Sequence, residues 1–124
     1  MNWLLPDGAI VLAQANPISG WVEYNAKKAA KWIKWANRLN VGAIVFPELF
    51  LVGYPIGDFI DRFPIVVGEN EEWLNALAEM TGKVKVIIGF IEKNKENNGK
   101  RYCNSVAVLA NGKIERVVHK SLLP

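Results

Sequence analysis

The chain has 124 residues, of which 51% are hydrophobic and 22% are charged, and these proportions are typical of one globular domain. A chain of this length can bury roughly two thirds of its unfolded surface, so it needs no disulfide or structural metal. Fifteen Lys and Arg residues against twelve Asp and Glu residues leave a net charge of +3, which does not by itself indicate nucleic-acid binding. Cys103 is the single cysteine, which excludes an internal disulfide and a metal site of paired cysteines.

The N-terminal segment lacks the basic start and the long apolar stretch of a signal peptide. No apolar run approaches the roughly 18 residues that a membrane-spanning helix requires. A lone cysteine also suits a reducing compartment. We therefore expect a cytoplasmic protein with no membrane partner.

The first half of the chain predicts a strand, a helix and a second strand. The apolar run over residues 9–14 is typical of a strand that a parallel sheet buries on both faces. A helix is predicted over about 21–39, because residues 22, 26, 29, 33 and 36 form one apolar stripe. It should end near Asn40, where the backbone can become left-handed. Residues 43–46 are predicted to form a second buried strand, so this order predicts a right-handed parallel crossover.

The second half predicts a helix followed by three strands. Residues 49–63 combine apolar residues with Gly53, Pro55 and Gly57, so we expect an irregular but packed segment. The helix is predicted over about 69–80, with glutamates near its positive N-terminal end. The strands are predicted over 84–91, 102–109 and 113–118. The last two flank Asn111-Gly112, which favours a hairpin because both central residues of a type I′ turn need a positive φ.

Glu48 is the residue with the clearest chemical potential. It directly follows the predicted strand over 43–46, at the carboxyl end where open α/β sheets place their ligand sites. If Phe46, Leu49 and Phe50 surround the carboxylate, desolvation raises its pKa and suits it to general-base chemistry. The same position also fits a glutamate that only faces solvent at the end of a strand.

Three further residues have side chains that are capable of chemistry. Lys120 comes at the end of a predicted strand, where spacing alone favours a solvated lysine. His119 has no second histidine and no acidic cluster nearby in sequence, so we predict no metal site and assign it no role. Cys103 lies inside a predicted strand, which is more typical of a small core residue than of a nucleophile.

The predicted first helix has a basic face with tryptophans at its edge. The residues are Lys27, Lys31, Lys34 and Arg38, with Trp32 and Trp35. Cations and aromatic rings can hold the phosphates and bases of nucleic acid. A solvated helix face explains the same pattern, and with so small a net charge we expect no nucleic-acid partner.

Four segments, in order along the chain, resemble the nitrilase, or carbon–nitrogen hydrolase, superfamily. Residues 43–55 are similar to the motif in which the catalytic glutamate follows a Phe-Pro pair, here Phe46-Pro47-Glu48. Residues 13–17 resemble the family's first strand and turn, residues 102–109 its Tyr-Asn-Ser strand, and residues 119–124 its lysine motif. The resemblance implies that Glu48 is the general base and Lys120 the cationic residue of a Glu–Lys–Cys site.

Within the superfamily, residues 53–59 and 120–124 are most similar to the glutaminase domains of glutamine-dependent NAD⁺ synthetases. This resemblance implies that glutamine is the substrate and that its amide ammonia passes to a synthetase domain. It also implies that Tyr54 lines the glutamine pocket. The glutaminase part would need no cofactor, whereas ATP and Mg belong to the implied synthetase domain, outside this chain.

The chain departs from the family pattern at the nucleophile. The family's cysteine follows the lysine motif, but this chain ends four residues after Lys120, and Cys103 precedes it. We therefore predict no nucleophile in this chain. The expected fold is α/β, the N-terminal half of a four-layer α-β-β-α sandwich, with one mixed sheet and helices on one face. Residues 1–124 would then be a single truncated domain, inactive by itself.

A sheet with helices on one face would expose an apolar patch on the other. We expect a C-terminal half-domain, a synthetase domain or a second copy of the chain to cover it, and the last would make a homo-oligomer. Two other functions stay open. They are another nitrilase-like amidase and a non-catalytic half-domain that acts as an assembly module.

Overall fold

The computed structural model describes residues 5–53, 65–95, 99 and 101–120. Within these ranges the chain alternates strands and helices before it ends in a hairpin. The elements are β1 Ile10–Leu12, α1 Val22–Leu39, β2 Ala43–Val45, α2 Ile65–Glu79, β3 Lys85–Lys93, β4 Tyr102–Ala110 and β5 Lys113–His119. The second helix therefore begins at Ile65 rather than near residue 69, and its first turn holds no acidic residue.

The described strands form one mixed sheet in the order β1-β2-β3-β4-β5. The first three strands are parallel, and β4 and β5 are added antiparallel. The tight turn between β4 and β5 has φ values of 54° at Asn111 and 76° at Gly112, as the predicted type I′ turn requires. The left-handed end of α1 is also confirmed, because Asn40 has a φ of 52°.

The core lies between one face of the sheet and the two helices. It contains Ile44, Val86, Ile88, Ala107 and Leu109 from the sheet, Ala26, Ala29, Ile33 and Ala36 from α1, and Leu74, Leu77 and Ala78 from α2. Successive side chains of a strand point to opposite faces, so these sheet residues belong to a single face. Both described helices thus cover that face, as expected.

Much of the opposite face of the sheet is exposed among the described residues, although Ile91 and Gly89 on this face are covered. Ile10, Leu12 and Val118 have 67%, 68% and 48% of their surface accessible to solvent. The expectation that β1 is buried on both faces is therefore wrong, because β1 is the edge strand and the helices lie on one side only. This outcome agrees with the expected half-sandwich, and we call this side the uncovered face.

Two fully buried asparagines tie the helices to neighbouring backbone. The Asn25 side chain of α1 accepts a hydrogen bond from the Ile18 N–H at 2.7 Å. It also donates hydrogen bonds to the carbonyl oxygens of Ile18 and Leu51, at 2.8 and 3.1 Å. Asn70 of α2 accepts the N–H of Ile91 at 3.2 Å and donates to its carbonyl. β2 pairs with β3 only as far as Ile87, so it does not reach Ile91. The Asn70 side-chain amide makes the two hydrogen bonds to Ile91 that a neighbouring strand would otherwise make. Each asparagine therefore satisfies backbone groups whose burial without partners costs about 1–3 kcal/mol apiece.

Gly89 of β3 allows residues 47–49 to cross closely over the sheet. A methyl group at Gly89 would lie 2.4 Å from the Leu49 nitrogen, 3.0 Å from the Pro47 carbonyl oxygen and 3.1 Å from the Glu48 carbonyl carbon. Leu49 itself has a φ of 52°, which is uncommon for a residue other than glycine. The chain therefore turns sharply after Pro47, and this turn fixes the backbone of Glu48 against β3.

We predict that Gly89→Ala lowers the free energy of unfolding by about 1–3 kcal/mol, because the new methyl group would meet backbone atoms that cannot rotate away. Urea unfolding followed by circular dichroism measures this change. Gly68→Ala is the matched control, since open space surrounds Gly68 in α2. Alanine there should leave the stability unchanged or raise it by up to about 1 kcal/mol. Equal effects of the two substitutions would contradict the close approach at Gly89.

Candidate active site

Glu48 and Lys120 are 72 residues apart in sequence but meet in the fold. The Lys120 Nζ atom lies 2.9 Å from Glu48 Oε1. Asn104 Nδ2 donates a hydrogen bond of 2.5 Å to the same oxygen. The two residues selected from the sequence thus form one polar cluster, together with an asparagine.

Three separate elements position this cluster. Glu48 is held by the turn over Gly89, Asn104 lies on β4, and Lys120 directly follows β5. The Lys120 N–H donates to the Asn104 carbonyl at 2.9 Å, which extends the β4–β5 pairing by one residue. Asn104 is also the cross-strand partner of Ile91, which shares its face with Gly89. The cluster therefore lies on the uncovered face of the sheet.

The apolar residues expected around Glu48 lie elsewhere. Phe46 and Phe50 are buried in the core with ring centroids 5.0 Å apart, and Leu49 is buried in a neighbouring apolar cluster. The turn after Pro47 separates these side chains from the carboxylate. As a result, 49% of the Glu48 side chain is exposed.

The electrostatics of Glu48 follow from its two hydrogen-bond donors. The hydrogen bond from Lys120, followed by that from Asn104, lowers the Glu48 pKa below its ordinary value of 4.5. Desolvation acts in the opposite direction but is outweighed, because the carboxylate is half exposed. The expected rise of this pKa is therefore wrong. Glu48 is ionised at neutral pH and can accept a proton.

Asn104 was not singled out from the sequence, although it lies in the segment that resembles the Tyr-Asn-Ser strand. The alternating side chains of β4 nevertheless indicate that Asn104 is unusual. Val106 and Val108 share a face with Asn104, so an amide interrupts an apolar row there. A polar residue in such a row indicates a nearby polar partner, but the sequence alone does not identify that partner as Glu48.

Tyr54, the predicted substrate-binding residue, lies outside the described residues. The chain that leads to it is described as far as Gly53, which has a φ of 81°. A methyl group at Gly53 would lie 2.6 Å from the Ser19 Cα atom. The Gly20 N–H also donates to the Val52 carbonyl at 2.7 Å. These contacts fix the backbone that precedes Tyr54.

Cys103 and His119 lie next to the cluster in sequence but on the other face of the sheet. Cys103 is half-buried, and strand alternation directs it away from the side on which Asn104 contacts Glu48. His119 Nδ1 lies 2.5 Å from Glu92 Oε1 and 3.0 Å from Ser105 Oγ. Because one ring nitrogen contacts both partners, this group cannot pass a proton from serine through histidine to glutamate. It instead anchors the end of β5 beside Lys120.

The described ranges contain neither a metal-binding cluster nor a helix that could span a membrane. No group of three His, Cys, Asp or Glu residues within residues 5–53, 65–95, 99 and 101–120 could hold a metal ion. Neither helix in those ranges has both the length and the apolar character needed to cross a membrane.

A comparison with protein families identifies the family of the chain. The family model for carbon–nitrogen hydrolases matches residues 10–124. The chain belongs to this family. The match includes β1 to β5 and all three residues of the polar cluster.

Curated relatives share a substantial fraction of the sequence. The chain is 37% identical over 117 residues to a glutamine-dependent NAD(+) synthetase of Thermotoga maritima. It is 34% identical over 115 residues to an enzyme of the same name from Acinetobacter baylyi. Each alignment covers 93% of this chain but only 19% and 20% of the respective relative. The chain thus spans about a fifth of the length of these relatives.

Solved structures confirm the fold class. The glutamine-dependent NAD+ synthetase of Acinetobacter baumannii superimposes with a TM-score of 0.79 and 27% identity, over 93% of this chain and 21% of that one. A nitrilase-superfamily amidase from Nesterenkonia gives a TM-score of 0.76 over 98% of this chain and 47% of the amidase. Its identity of 16% shows a common fold alone. The mixed sheet with two helices is therefore similar to the sheets of the nitrilase superfamily, as expected.

We predict that Lys120→Met raises the Glu48 pKa towards its ordinary value, because the strongest donor to the carboxylate is removed. Carbon-detected NMR titration of the side-chain carboxyl groups measures this shift. Lys83→Met, which removes an exposed lysine elsewhere, is the control and should leave the Glu48 pKa unchanged.

The same shift determines how this contact contributes to stability. The folded-state pKa of Glu48 is lowered, so the contribution is present above pH 4.5 and is lost as the pH falls through the folded-state pKa. For a pair this exposed it should be below about 1 kcal/mol. A Glu48 pKa that does not respond to Lys120→Met would contradict the contact.

Proposed function

We propose that residues 1–124 form the part of a glutamine-hydrolysing domain that holds the general base and the cationic residue. Glu48 is the base and Lys120 is the cation. The contact of 2.9 Å between these two side chains, in a chain of the carbon–nitrogen hydrolase family, is the observation that carries the proposal. Relatives named as glutamine-dependent NAD(+) synthetases support glutamine as the substrate.

In the proposed reaction, the thiol of a cysteine transfers its proton to the ionised Glu48 carboxylate. The thiolate attacks the side-chain amide carbon of glutamine, the carbon–nitrogen bond breaks, and Glu48 returns the proton to the departing ammonia. Water then hydrolyses the thioester to glutamate and restores the thiol. The Lys120 ammonium stabilises both the thiolate and the developing oxyanion. Asn104 holds Glu48 Oε1 in place during these steps.

The thiol is proposed to come from outside these 124 residues. Cys103, the single cysteine, lies on the opposite face of the sheet from the Glu48 cluster. A C-terminal half-domain that packs on the uncovered face would bring its side chains next to Glu48, Asn104 and Lys120. It would also bury Ile10, Leu12 and other apolar residues. We therefore propose that the isolated chain is inactive with glutamine.

The partner reaction is proposed by similarity to the longer relatives. A synthetase domain would receive the ammonia and use it to amidate adenylated nicotinic acid adenine dinucleotide. ATP and Mg would be needed in that domain, and we assign no cofactor to residues 1–124. Residence in the cytoplasm stays a prediction.

The test uses the product of the complete gene that encodes these residues. Glu48→Gln should reduce glutamine-dependent formation of NAD⁺ by a factor of about 10² or more, because it removes a general base with little change of shape. Formation of NAD⁺ from added ammonia should stay unchanged. Glu115→Gln is the matched control, since Glu115 is likewise paired with a lysine but lies on β5, away from the cluster.

Comparison of glutamine with added ammonia as the nitrogen source separates the possible outcomes. Full use of glutamine by the Glu48→Gln variant would contradict the role of Glu48. Equal loss with both donors would contradict a role confined to glutamine hydrolysis. Release of ammonia from small amides but not from glutamine would favour another nitrilase-like amidase. Ammonia release from glutamine by residues 1–124 alone would contradict the external thiol.

We propose, from the resemblance of residues 53–59 to the glutaminase domains, that Tyr54 lines the glutamine pocket. In the complete gene product, we predict that Tyr54→Ala raises KM for glutamine about tenfold, which corresponds to about 1.4 kcal/mol of lost binding. The value of kcat should change much less, because the ring contributes to binding rather than to proton transfer. Tyr54→Phe distinguishes a ring contact, which it keeps, from a hydroxyl hydrogen bond. An unchanged KM in both variants would remove Tyr54 from the site.

A further inference from the structure

Three polar side chains meet at the end of β5, on the face of the sheet that the helices cover. They come from three neighbouring strands, and we define them as the strand-end anchor: Glu92 of β3, Ser105 of β4 and His119 of β5. Ser105 Oγ donates a hydrogen bond of 3.2 Å to Glu92 Oε1, and His119 Nδ1 lies 2.5 Å from the same oxygen. Because a carboxylate oxygen only accepts, the hydroxyl and a protonated Nδ1 both donate to it. The proposed reaction uses none of these three residues.

The strand-end anchor is built into the protein rather than laid on its surface. Ser105 is fully buried, and only 20% of the Glu92 side chain is exposed. Ser105 shares its face with Ala107 and Leu109 of the apolar core, so a hydroxyl interrupts an apolar row there. A hydroxyl or a carboxylate is costly to bury without a partner, and here each supplies a partner for the other. The anchor therefore has a defined geometry.

The backbone pairing of β5 is weak at the point where the anchor lies. Among the described strands, β5 has β4 as its only neighbour. Opposite residues of an antiparallel pair alternate between those with and those without mutual backbone hydrogen bonds. The Lys120 N–H binds the Asn104 carbonyl, so the preceding opposite pair, Ser105 and His119, is of the second kind. The side chains of this pair, and not its backbone, join the two strands here.

This side-chain link acts on the residue that precedes Lys120. The Cα atoms of His119 and Lys120 are about 3.8 Å apart, and the two side chains leave the strand on opposite faces. Lysine has a flexible four-carbon stem, and 58% of the Lys120 side chain is exposed. If the end of β5 frayed, the ammonium would leave Glu48. The link at His119 keeps the Lys120 backbone paired with β4.

We propose that the strand-end anchor positions Lys120, so that its ammonium stays in contact with Glu48. The anchor lies on the opposite face of the sheet from Glu48, so it acts through the backbone between His119 and Lys120. Its residues are positioning residues, because they hold a group that stabilises charge only where that charge develops. The effect on catalysis rests on the proposed function, whereas the effect on the position of Lys120 does not.

Amide hydrogen exchange of the whole chain tests the position of Lys120. In His119→Ala, the Lys120 amide should exchange about tenfold faster, the factor expected when one hydrogen bond to a charged group is lost. The Glu48 pKa should rise towards 4.5 as the ammonium withdraws. His119→Asn should restore both values. Its amide nitrogen is as many bonds from the backbone as Nδ1 and can donate to Glu92.

Glutamine hydrolysis by the complete gene product tests the consequence for catalysis. In His119→Ala, kcat with glutamine should fall by a factor of about 10 to 10², because a small misplacement of a catalytic group has this cost. KM for glutamine should change much less, since the ammonium acts on the transition state. Glu92→Ala should have the same effect. The double variant should be no worse than either single one, because the two residues act as a unit.

Glu115→Ala is the matched control. The pair of Glu115 with Lys85 also joins β5 to β3, but at the opposite end of both strands. This variant should leave the exchange of the Lys120 amide, the Glu48 pKa and kcat unchanged. Far-UV circular dichroism verifies that each variant is folded, and formation of NAD⁺ from added ammonia should be the same in all of them.

The two kinds of measurement separate this proposal from the proposed function. Unchanged exchange of the Lys120 amide and an unchanged Glu48 pKa in both alanine variants would overturn the positioning role. So would additive losses of kcat in the double variant, or a His119→Asn variant that behaves like His119→Ala. A displaced Lys120 with full use of glutamine would support the positioning role but contradict the catalytic role of Lys120.

Discussion

The close approach of the Pro47–Leu49 backbone to Gly89 is the constraint on which the site depends. Because Gly89 has no side chain, the chain that leaves β2 can cross over β3 instead of continuing outward. This crossing separates three apolar side chains, which enter the protein interior, from Glu48, which stays at the surface. The left-handed backbone of Leu49 is part of the same turn. A side chain at position 89 would displace the Glu48 backbone, so a residue of β3 controls the position of an acid that follows β2.

The polar cluster depends on the sheet in a second way. Lys120 reaches Glu48 because it stands opposite Asn104 in the extended pairing of β4 with β5, and Asn104 shares the uncovered face with Gly89. His119, one residue earlier, anchors the strand end on the other face through Glu92 and Ser105. The ion pair is half exposed, so it contributes little to stability in water. If a partner covers this face, loss of water would strengthen the interaction between the same charges.

The two outer surfaces of this half-sandwich differ in chemistry. The uncovered sheet face is apolar around the Glu48 cluster, whereas the helix layer divides its charge between a basic α1 and an acidic α2. A partner on the sheet face would therefore be held mainly by burial of apolar area. A partner on the helix layer would be selected by charge and by exposed tryptophans. The two sides of the chain are therefore suited to partners of different chemistry.

The sequence by itself determined the elements whose signals are local. These include the apolar stripe of α1, the Asn40 helix end, the Asn111-Gly112 hairpin, and Glu48 and Lys120 as residues of interest. Only the tertiary structure decided that these two meet, that Asn104 joins them, and that the Glu48 pKa falls instead of rising. It also decided that β1 is exposed on one face. The physical reason is that helix and turn patterns depend on neighbours in sequence, whereas strand order and register join distant residues. A register shift of one residue moves every side chain of a strand to the opposite face of the sheet.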